Sequence, residues 1–315
     1  MNPEGLEQNV AAVTNGGCNM FKKAGLEQGR APVAVFTFCP LCGSHDYKLD
    51  FEHREIGSVV RCRQCGLKYT HSRWTVPWWR MRQQDPGPLP DVILQKQDSQ
   101  TDDFLDVLRR IKRYQPNGKL LELGCLTGHF LALAKKAGYE PVGIEPDPWA
   151  AQYARDQSDV QVHETLIPKL HFEDRTFDVI AMFHVMEHLT EPMETLLDLR
   201  RILKETGLLA IEVPIIDTLF PIVLGARHRH YIFDHTLFMK RGNALEFLKK
   251  AGFKVLRTEL TGRHLRLERL AWALGKSNKS LSRFLDGAFK ALHVQEQTVH
   301  VNLRDNYRIY CQRAD

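Results

Sequence analysis

The stretch "GKLLELGCLTGHFLALAKKAGYEPVGIEPDPWAAQYARD", residues 118–156, decides the fold. Its apolar runs alternate with segments of helical spacing, so it predicts strand, turn, helix, strand, turn and helix in that order. A βαβ unit of this kind implies parallel strands that are joined by right-handed crossovers. We therefore expect an α/β fold that is built on a parallel sheet.

The first turn of this stretch has the form acid-x-Gly-x-x-x-Gly, with Glu122, Gly124 and Gly128 at its fixed positions. It lacks the middle glycine of the dinucleotide fingerprint G-x-G-x-x-G. The glycines let a ligand lie against bare backbone at the mouth of the sheet, and the acid suits a ligand that carries an ammonium group. Glu145 ends the second strand, where a carboxylate can accept both hydroxyls of a ribose.

The string "FHVMEH", residues 183–188, matches the H-x-x-E-H signature of one class of zinc peptidase. A peptidase of this kind needs both histidines within one helix. Here the string follows the buried-strand run "TFDVIAMF" (176–183), and the next helix begins nearer Pro192. His184 is therefore expected at the carboxyl end of a strand, where open α/β sheets bind ligands, and the context argues against a peptidase.

Four of the seven cysteines follow the doubled C-x2-C spacing of a structural zinc site: Cys39, Cys42, Cys62 and Cys65. Gly43 and Gly66 let each turn fold back, so that backbone N–H groups can point at sulfur. Three flanking runs predict the strands of a small ribbon: 46–51, 58–62 and 67–71. About forty residues make too small a core, so zinc would supply stability, and four thiolates leave no open position for catalysis. Three histidines are alternatives for one ligand: His45, His53 and His71.

Three motifs carry a family resemblance: "LLELGCLTGHF", "VGIEPDP" and "FDVIAMFHVMEHL". They resemble the successive motifs of class I S-adenosylmethionine-dependent methyltransferases, and the resemblance extends over about residues 36 to 315. It implies a Rossmann-like, doubly wound, mostly parallel seven-stranded sheet with an N-terminal zinc ribbon, and an antiparallel strand at "DNYRIYCQR". The implied cofactors are S-adenosylmethionine and a structural zinc ion. A ribbon ahead of such a core is similar to a bacterial subgroup that mostly methylates small molecules, sugars or lipids.

The resemblance places the cofactor on eight residues: Glu122, Gly124, Cys125, Gly128, Glu145, Pro146, Asp147 and Phe183. The family usually has a third glycine where this chain has Leu126, so we expect the turn to sit differently against the cofactor.

Four residues are candidates for the acceptor chemistry: His184, Glu187, His188 and His235. A neutral imidazole suits removal of a proton from the acceptor, and Glu187 can orient one. A similar loop in quinone-precursor O-methyltransferases holds a divalent ion with two acids and a histidine. Here His184 replaces the first acid, which argues against that ligand set.

A second histidine cluster, "RHRHYIFDHTLF" (227–238), follows the strand run "LLAIEVP" (208–214). Long segments at that end of a sheet usually cap the binding site. We therefore expect Tyr231 and His235 to face the substrate. Arg227 and Arg229 would meet an anionic group such as phosphate or carboxylate. The alternative is a basic surface loop.

Composition divides the chain into four parts: a flexible segment at 1–35, the zinc ribbon at 36–73, a connector or lid at 74–100 and the methyltransferase domain at 101–315. Three tryptophans of the connector would stack over the acceptor or pack the ribbon onto the core: Trp74, Trp78 and Trp79. The last part opens with a predicted helix over 101–114, with Thr101 as its N-cap, and has helices within 263–297.

The charge and the termini limit the partners and the compartment. The chain has 43 basic and 38 acidic residues, and a net charge of +5 permits an anionic partner without requiring one. We find no apolar run of about 18 residues, so we expect no membrane span. The first residues lack the layout of a signal peptide, which favours the cytoplasm, where cysteines are ligands or buried thiols.

These observations favour methylation of an oxygen on a small molecule, a sugar or a lipid-linked acceptor, with a histidine as base. One alternative is a methyltransferase of ribosomal or transfer RNA that binds nucleic acid through the ribbon. The modest charge and the lack of an Asn/Asp-Pro-Pro-aromatic motif argue against it. A second alternative, favoured by Leu126, is a non-catalytic protein that binds the cofactor or acts as a scaffold.

Overall fold

The computed structural model of the chain describes residues 33–53, 56–73, 91–94, 97–165, 172–232, 234–267, 279–292, 294 and 297–314. Twelve strands in these residues form two sheets, one of five strands and one of seven. None of the helices in this part of the chain combines the length and the apolar character that a membrane span requires. The three connector tryptophans and nearly all of the segment 1–35 lie outside the described residues.

The N-terminal sheet is an antiparallel ribbon around the two cysteine turns. Its first strands, in the spatial order β1-β4-β3-β2, are β1 (Val33–Ala34), β2 (Tyr47–His53), β3 (Gly57–Cys62) and β4 (Lys68–Arg73). The three predicted ribbon strands are present, with bounds that differ by one or two residues. The fully buried ring of Tyr69 centres this sheet, edge-on to the rings of Phe36 at 5.8 Å and Tyr47 at 6.4 Å.

The second sheet contains seven strands, five of them parallel. The remaining strands of the chain are β5 (Gly118–Leu123), β6 (Tyr139–Ile144), β7 (Gln161–His163), β8 (Phe177–Phe183), β9 (Leu203–Pro214), β10 (Leu237–Phe238), β11 (Phe253–Arg266) and β12 (Thr298–Arg313). All except β10 form this sheet, in the order β11-β12-β9-β8-β5-β6-β7. Strands β5 to β9 pair in parallel, and β12 is antiparallel to both β9 and β11. The predicted doubly wound, mostly parallel seven-stranded sheet is confirmed.

Helices pack on both faces of this sheet. The helices of the described residues are α1 (Asp91–Leu94), α2 (Gln97–Ile111), α3 (His129–Lys136), α4 (Pro148–Ser158), α5 (Pro192–Ile202), α6 (Leu219–Leu224), α7 (Arg241–Lys250) and α8 (Lys279–Ala291). Five of them bury side chains against the sheet: α2, α3, α4, α5 and α7. Successive side chains of a strand point to opposite faces, so Leu120 of β5 belongs to a buried cluster with α2, α3 and α4, whereas Leu121 belongs to one with α5 and α7. Full burial of one such leucine contributes about 1.5–3 kcal/mol.

The ribbon shares a core with the larger sheet. The cluster on the side of α5 and α7 also contains Phe36 and Tyr69 of the ribbon. Strand β10 pairs antiparallel with β4 and thereby completes the five-stranded sheet. Thr70 of β4 donates its backbone N–H to the carbonyl of Thr236 (2.9 Å) and its hydroxyl to the carbonyl of His235 (3.2 Å). A segment that follows β9 thus forms part of the ribbon.

Two boundaries differ from the prediction. Helix α2 begins at Gln97, so the N-cap prediction for Thr101 is wrong. The Thr101 hydroxyl instead donates to the carbonyl of Gln97 within the helix (3.4 Å) and contacts Nε2 of His129 (2.9 Å). Strand β9 begins at Leu203, five residues before the predicted start, because the fully buried Leu203 already pairs with Phe177 of β8.

Candidate active site

The glycine turn connects β5 to α3 at the carboxyl edge of the sheet. Gly124 and Gly128 have φ angles of 68° and 72°, in the left-handed region that glycine adopts readily. A Cβ atom on Gly124 would lie 2.5 Å from Cγ2 of Val185. A Cβ atom on Gly128 would lie 3.0 Å from Cβ of Ala154. Both glycines are therefore required by backbone conformation and by close packing.

Leu126 adopts the left-handed backbone without being a glycine. Its φ angle is 46°, a conformation that costs an L-residue about 1–2 kcal/mol. Its N–H donates to Oε2 of Glu145 over 2.8 Å. At this position the turn keeps a conformation that glycine would favour, and a hydrogen bond to the next strand end holds it there.

Glu122 lies near the end of β5, and its side chain is only 4% exposed. Its Oε2 is buried and has no hydrogen-bond partner among the described residues. Burial raises the pKa of Glu122 well above its usual range, and the charge of Glu145 raises it further. An unpaired buried carboxylate is unfavourable, so a cationic group beside it would be stabilised. The site fits the ammonium group of S-adenosylmethionine in this respect.

Glu145 follows β6, and two backbone groups orient its carboxylate. Oε1 accepts the N–H of Asp147 (2.9 Å), and Oε2 accepts the N–H of Leu126. A carboxylate can accept up to four hydrogen bonds, so this arrangement is compatible with ribose hydroxyls as further donors. Asp147 is fully buried and caps α4, since its Oδ1 accepts the N–H of Ala150 (2.8 Å). Pro146 is half-buried between the two acids.

Cys125 and Phe183 pack around the turn. Burial raises the pKa of the Cys125 thiol well above its usual range, so the thiol is neutral. A Cβ atom on Gly143 of β6 would lie 2.7 Å from Sγ of Cys125, so only glycine fits there. Gly143 belongs to the motif "VGIEPDP", but we did not predict this role. Phe183 packs against the rings of Phe130 (5.0 Å) and Phe104 (6.1 Å), so α2 also contributes to this wall.

The two histidines of "FHVMEH" do not lie on one helix. Strand β8 ends at Phe183, and His184 has a φ angle of 56°. The N–H of His184 donates to the carbonyl of Glu212 on β9 (2.9 Å). A short 3-10 turn covers Met186–His188, and α5 begins at Pro192, as predicted. The backbone therefore excludes the helical arrangement that a zinc peptidase of this signature requires.

The imidazole of His184 lies between two carboxylates. Its Nδ1 is 3.3 Å from Oε1 of Glu187, and its Nε2 is 3.2 Å from Oε1 of Glu212 and 3.1 Å from Nη2 of Arg263. Burial and the nearby Arg263 both lower the pKa of His184, but the two carboxylates outweigh them and raise it above its usual value. Glu212 also accepts Nε–H of Arg308 (2.7 Å). We did not predict Glu212, although an acid within the apolar run "LLAIEVP" is a signal.

Glu187, His188 and His235 meet beside His184. The Glu187 side chain is 1% exposed, and neither carboxylate oxygen has a hydrogen-bond partner in the part of the chain that the structure describes. Burial would raise the pKa of Glu187, but His184 and the other two histidines lower it to about 2. His188 Nδ1 is 3.0 Å from the carbonyl oxygen of Asp234, and the rings of His188 and His235 are 4.8 Å apart. The structure therefore brings all four predicted acceptor residues together.

Several other side chains of the segment 227–238 contact groups of the protein, whereas Arg227 is exposed. Arg229 donates two hydrogen bonds to Asp305 of β12, both 2.9 Å long, instead of pointing to a ligand. Burial would raise the pKa of Asp305, but His228, His230 and Arg229 hold it well below its usual range. Tyr231 is 6% exposed, packs edge-on against Phe51 of the ribbon and lines a pocket there together with Lys68.

The four cysteine sulfurs of the ribbon fit a tetrahedral ion. All lie within 4.8 Å of one another, and two pairs are 3.5 Å apart: Cys39 with Cys65, and Cys42 with Cys62. Zinc with bonds of about 2.3 Å holds its sulfurs about 3.8 Å apart. Gly43 and Gly66 have φ angles of 73° and 72°, as the predicted turns require. His71 contacts the hydroxyl of Tyr47 (2.7 Å) and does not belong to the sulfur cluster.

A parallel sheet with a glycine turn at its carboxyl edge and an acid after the second strand is the frame of a nucleoside-binding enzyme. Residues 97–258 match a family model that is described as a methyltransferase domain, and they are just over half of the chain. These features define the class of S-adenosylmethionine-dependent methyltransferases. The chain belongs to this methyltransferase-domain family and is an enzyme.

Two solved structures share this fold, and one curated protein is similar in sequence. A protein of Bacillus halodurans that is assigned as a methyltransferase is 15% identical, with a TM-score of 0.50 over 67% of this chain and 99% of its own. A chain in the complex between the Haloferax volcanii Trm112 methyltransferase activator and a methyltransferase is 15% identical, with a TM-score of 0.53 over 76% of this chain and 100% of its own. An uncharacterized protein of Methanocaldococcus jannaschii is 25% identical over 155 residues, which cover 49% of this chain and 73% of that protein. At the identities of the two structures, the likeness concerns the fold alone.

Proposed function

We propose that the enzyme transfers a methyl group to an oxygen of a small molecule, a sugar or a lipid-linked acceptor, with His184 as the base. The observation that carries the proposal is the position of the His184 imidazole. It follows β8 at the carboxyl edge of the sheet, and β5 ends at the glycine turn of the same edge. Carboxylates on both sides raise the pKa of His184, which favours uptake of a proton.

The cofactor half of the site would hold S-adenosylmethionine through the glycine turn and the acids at the ends of β5 and β6. Glu122 would pair with the ammonium group, and Glu145 would accept the ribose hydroxyls. Gly124 and Gly128 would let the ligand lie against the backbone. When bound, S-adenosylmethionine supplies a methyl group on a positively charged sulfur, which an acceptor oxygen can attack in line.

The acceptor half of the site would take up one proton from the acceptor. As the acceptor oxygen forms its new bond to carbon, the carbon–sulfur bond would break, S-adenosylhomocysteine would leave, and the proton of the oxygen would pass to Nε2 of His184. Glu187 would hold the opposite nitrogen of the ring, Nδ1, and Glu212 would stabilise the imidazolium that forms. His188 and His235 would shape this half of the site next to Glu187.

We also propose that residues 36–73 form a zinc ribbon, residues 74–100 a connector and residues 101–315 the methyltransferase domain. The distances between the four sulfur atoms support zinc as the ion of the ribbon. Full coordination by sulfur gives this ion a structural role. The ribbon then supports the segment that contains His235, through the bonds from Thr70.

The test combines binding and turnover. Calorimetry should detect heat with both S-adenosylmethionine and S-adenosylhomocysteine. Incubation with extracted metabolites should add the mass of one methyl group to an acceptor. In the variant His184→Asn, turnover should fall by about 10²–10⁴-fold, the usual contribution of a general base, while the affinity for the cofactor stays the same.

His300→Asn is the matched control, because His300 is exposed on β12. Turnover of His184→Asn at the wild-type rate would remove His184 from the mechanism. Tight, salt-sensitive retardation of total RNA in a gel would instead favour the RNA alternative.

A further inference from the structure

The carboxylate of Glu187 lacks the partners that its position demands. It is 1% exposed and, within the described ranges, both oxygens are buried without a hydrogen bond. Nδ1 of His184 lies 3.3 Å from Oε1 as an ion pair, without the geometry of a hydrogen bond, and Oε2 is left without a partner among the described residues. A buried carboxylate normally has hydrogen-bond partners or a cation, so this group points to a ligand that the protein side chains do not replace.

His235 presents a second unpartnered atom to the same place. Its side chain is 6% exposed, and Nδ1 is buried with no hydrogen-bond partner in the residues that the structure describes. The backbone on both sides of this ring is fixed, because Thr70 binds the carbonyls of His235 and Thr236. Thr236 in turn donates its N–H to the carbonyl of Glu187 (2.7 Å). The ring is therefore held against Glu187.

His188 is oriented in the way that metal-bound histidines usually are. Its Nδ1 lies 3.0 Å from the carbonyl oxygen of Asp234, which can only accept, so Nδ1 carries the hydrogen. The lone pair is then on Nε2, the other ring nitrogen. Ligating histidines commonly donate their second N–H to a carbonyl or carboxylate, which fixes the tautomer and the ring.

We propose that Glu187, His188 and His235 bind one divalent transition-metal cation. One nitrogen or oxygen atom from each of the three lies within 4.8 Å of the others. An ion with bonds of about 2.1 Å would hold these atoms about 3.0–3.4 Å apart, so small side-chain adjustments close the site. Two imidazoles and one carboxylate suit zinc, manganese, iron or cobalt better than magnesium or calcium.

A second group of possible ligands makes the contrast. His228, His230 and Asp305 also bring ligand atoms within 4.8 Å of one another. However, both oxygens of Asp305 already accept hydrogen bonds from Arg229. The charge of that carboxylate is therefore already neutralised within the protein, and we assign no ion to it.

The ion would act on the acceptor. It would bind the acceptor oxygen and lower its pKa, and the proton released from that oxygen would pass to Nε2 of His184. This role rests on the proposed function, whereas the binding of the ion does not. The site would favour acceptors with a hydroxyl that can coordinate a metal, such as a catechol, an α-hydroxyketone or a sugar diol.

The experiment counts ions on the full chain without cofactor or acceptor. Wild-type protein is loaded with Zn²⁺ or, in separate preparations, with Co²⁺ or Mn²⁺, and the bound metal is measured by mass spectrometry and calorimetry. Glu187→Gln and His235→Asn should each hold one ion fewer than the wild type, or bind it at least about tenfold more weakly. Glu194→Gln is the matched control, because Glu194 is exposed in the first turn of α5.

Loss of folding is checked in both site variants. Glu187→Gln and His235→Asn should keep the far-UV circular dichroism of the wild type. Cys62→Ser assigns the ribbon ion separately, since a thiolate site with Co²⁺ has a charge-transfer absorption that a histidine and carboxylate site lacks. Equal metal content and equal affinity in the wild type, Glu187→Gln and His235→Asn would overturn the proposal. If the ion binds but no methyl transfer occurs with any acceptor, the proposed function fails and the metal site stands.

Discussion

Glu122→Gln tests the proposed contact between Glu122 and the cofactor. It should change both the stability of the protein and its affinity for the cofactor. The substitution keeps the size of the side chain and removes its charge. As far as the chain is described, Oε2 of Glu122 is buried without a hydrogen-bond partner, and burial together with Glu145 raises its pKa. An unpaired buried charge costs more than a buried neutral amide of the same shape, and we take the difference as about 1–3 kcal/mol. We therefore expect the ligand-free variant to be more stable than the wild type by about 1–3 kcal/mol at pH 7, or about 2–6 °C in Tm.

Glu122 also makes the stability of the wild type depend on pH. The pKa of Glu122 in the folded protein lies above its unfolded value of about 4.3, so the folded state holds this proton to higher pH. Its contribution to stability is present below about pH 4 and is lost as the pH rises toward the folded pKa. The glutamine variant has no proton to lose. Its advantage over the wild type should therefore grow from pH 4 toward neutral pH.

Thermal denaturation between pH 4 and pH 8, with and without S-adenosylhomocysteine, measures both effects. A ligand at 100 times its Kd stabilises the wild type by about 2.7 kcal/mol. Loss of the charged partner of the ammonium group should weaken binding by about 1–3 kcal/mol, or about 5–150-fold in Kd. Glu140→Gln, at an exposed position of β6, is the control. A variant that is less stable than the wild type without ligand, yet binds with wild-type affinity, would refute the assignment of Glu122.

Three further changes test other parts of the molecule. Glu145→Ala should weaken S-adenosylmethionine binding by about 1–3 kcal/mol in calorimetry, and an unchanged Kd would contradict the ribose assignment. Cys62→Ser should lower the zinc content by one ion and the Tm, whereas the cofactor Kd of the folded fraction should stay constant. Asp305→Asn should cost about 2–3 kcal/mol in urea denaturation at pH 7, below the value for fully buried pairs because Arg229 is 43% exposed. Because the pKa of Asp305 is held below its unfolded value of about 3.9, the difference from wild type should shrink as the pH falls below about 4, and a constant difference would exclude the charged pair.

The positions of the glycine turn and of Glu145 could be predicted from the sequence because their determinants are local. The glycine turn and Glu145 belong to one βαβ unit, and the strand direction alone brings them to one edge. His184 followed from the same rule, since it comes directly after β8.

The partners of His184 required information that local patterns do not contain. Glu212 and Arg263 reach the imidazole from β9 and β11, and their positions depend on strand order and register. A strand of two residues, Leu237–Phe238, is too short for a periodic signal, so its pairing with β4 could not be predicted. The N-cap prediction for Thr101 was wrong for a different reason. A threonine that suits an N-cap is also tolerated inside a helix when its hydroxyl binds the preceding turn.

The pairing of β4 with β10 makes the cysteine module a support for the segment that contains His235. Chelation of the proposed ribbon ion would release β4, and the carbonyls of His235 and Thr236 would lose their hydrogen bonds first, while the glycine turn stays attached to β5 and α3. Zinc starvation would then leave a protein that still captures its methyl donor but turns over poorly. A fragment without the ribbon would lack β4, so another strand would have to pair with β10 before the fragment could be active.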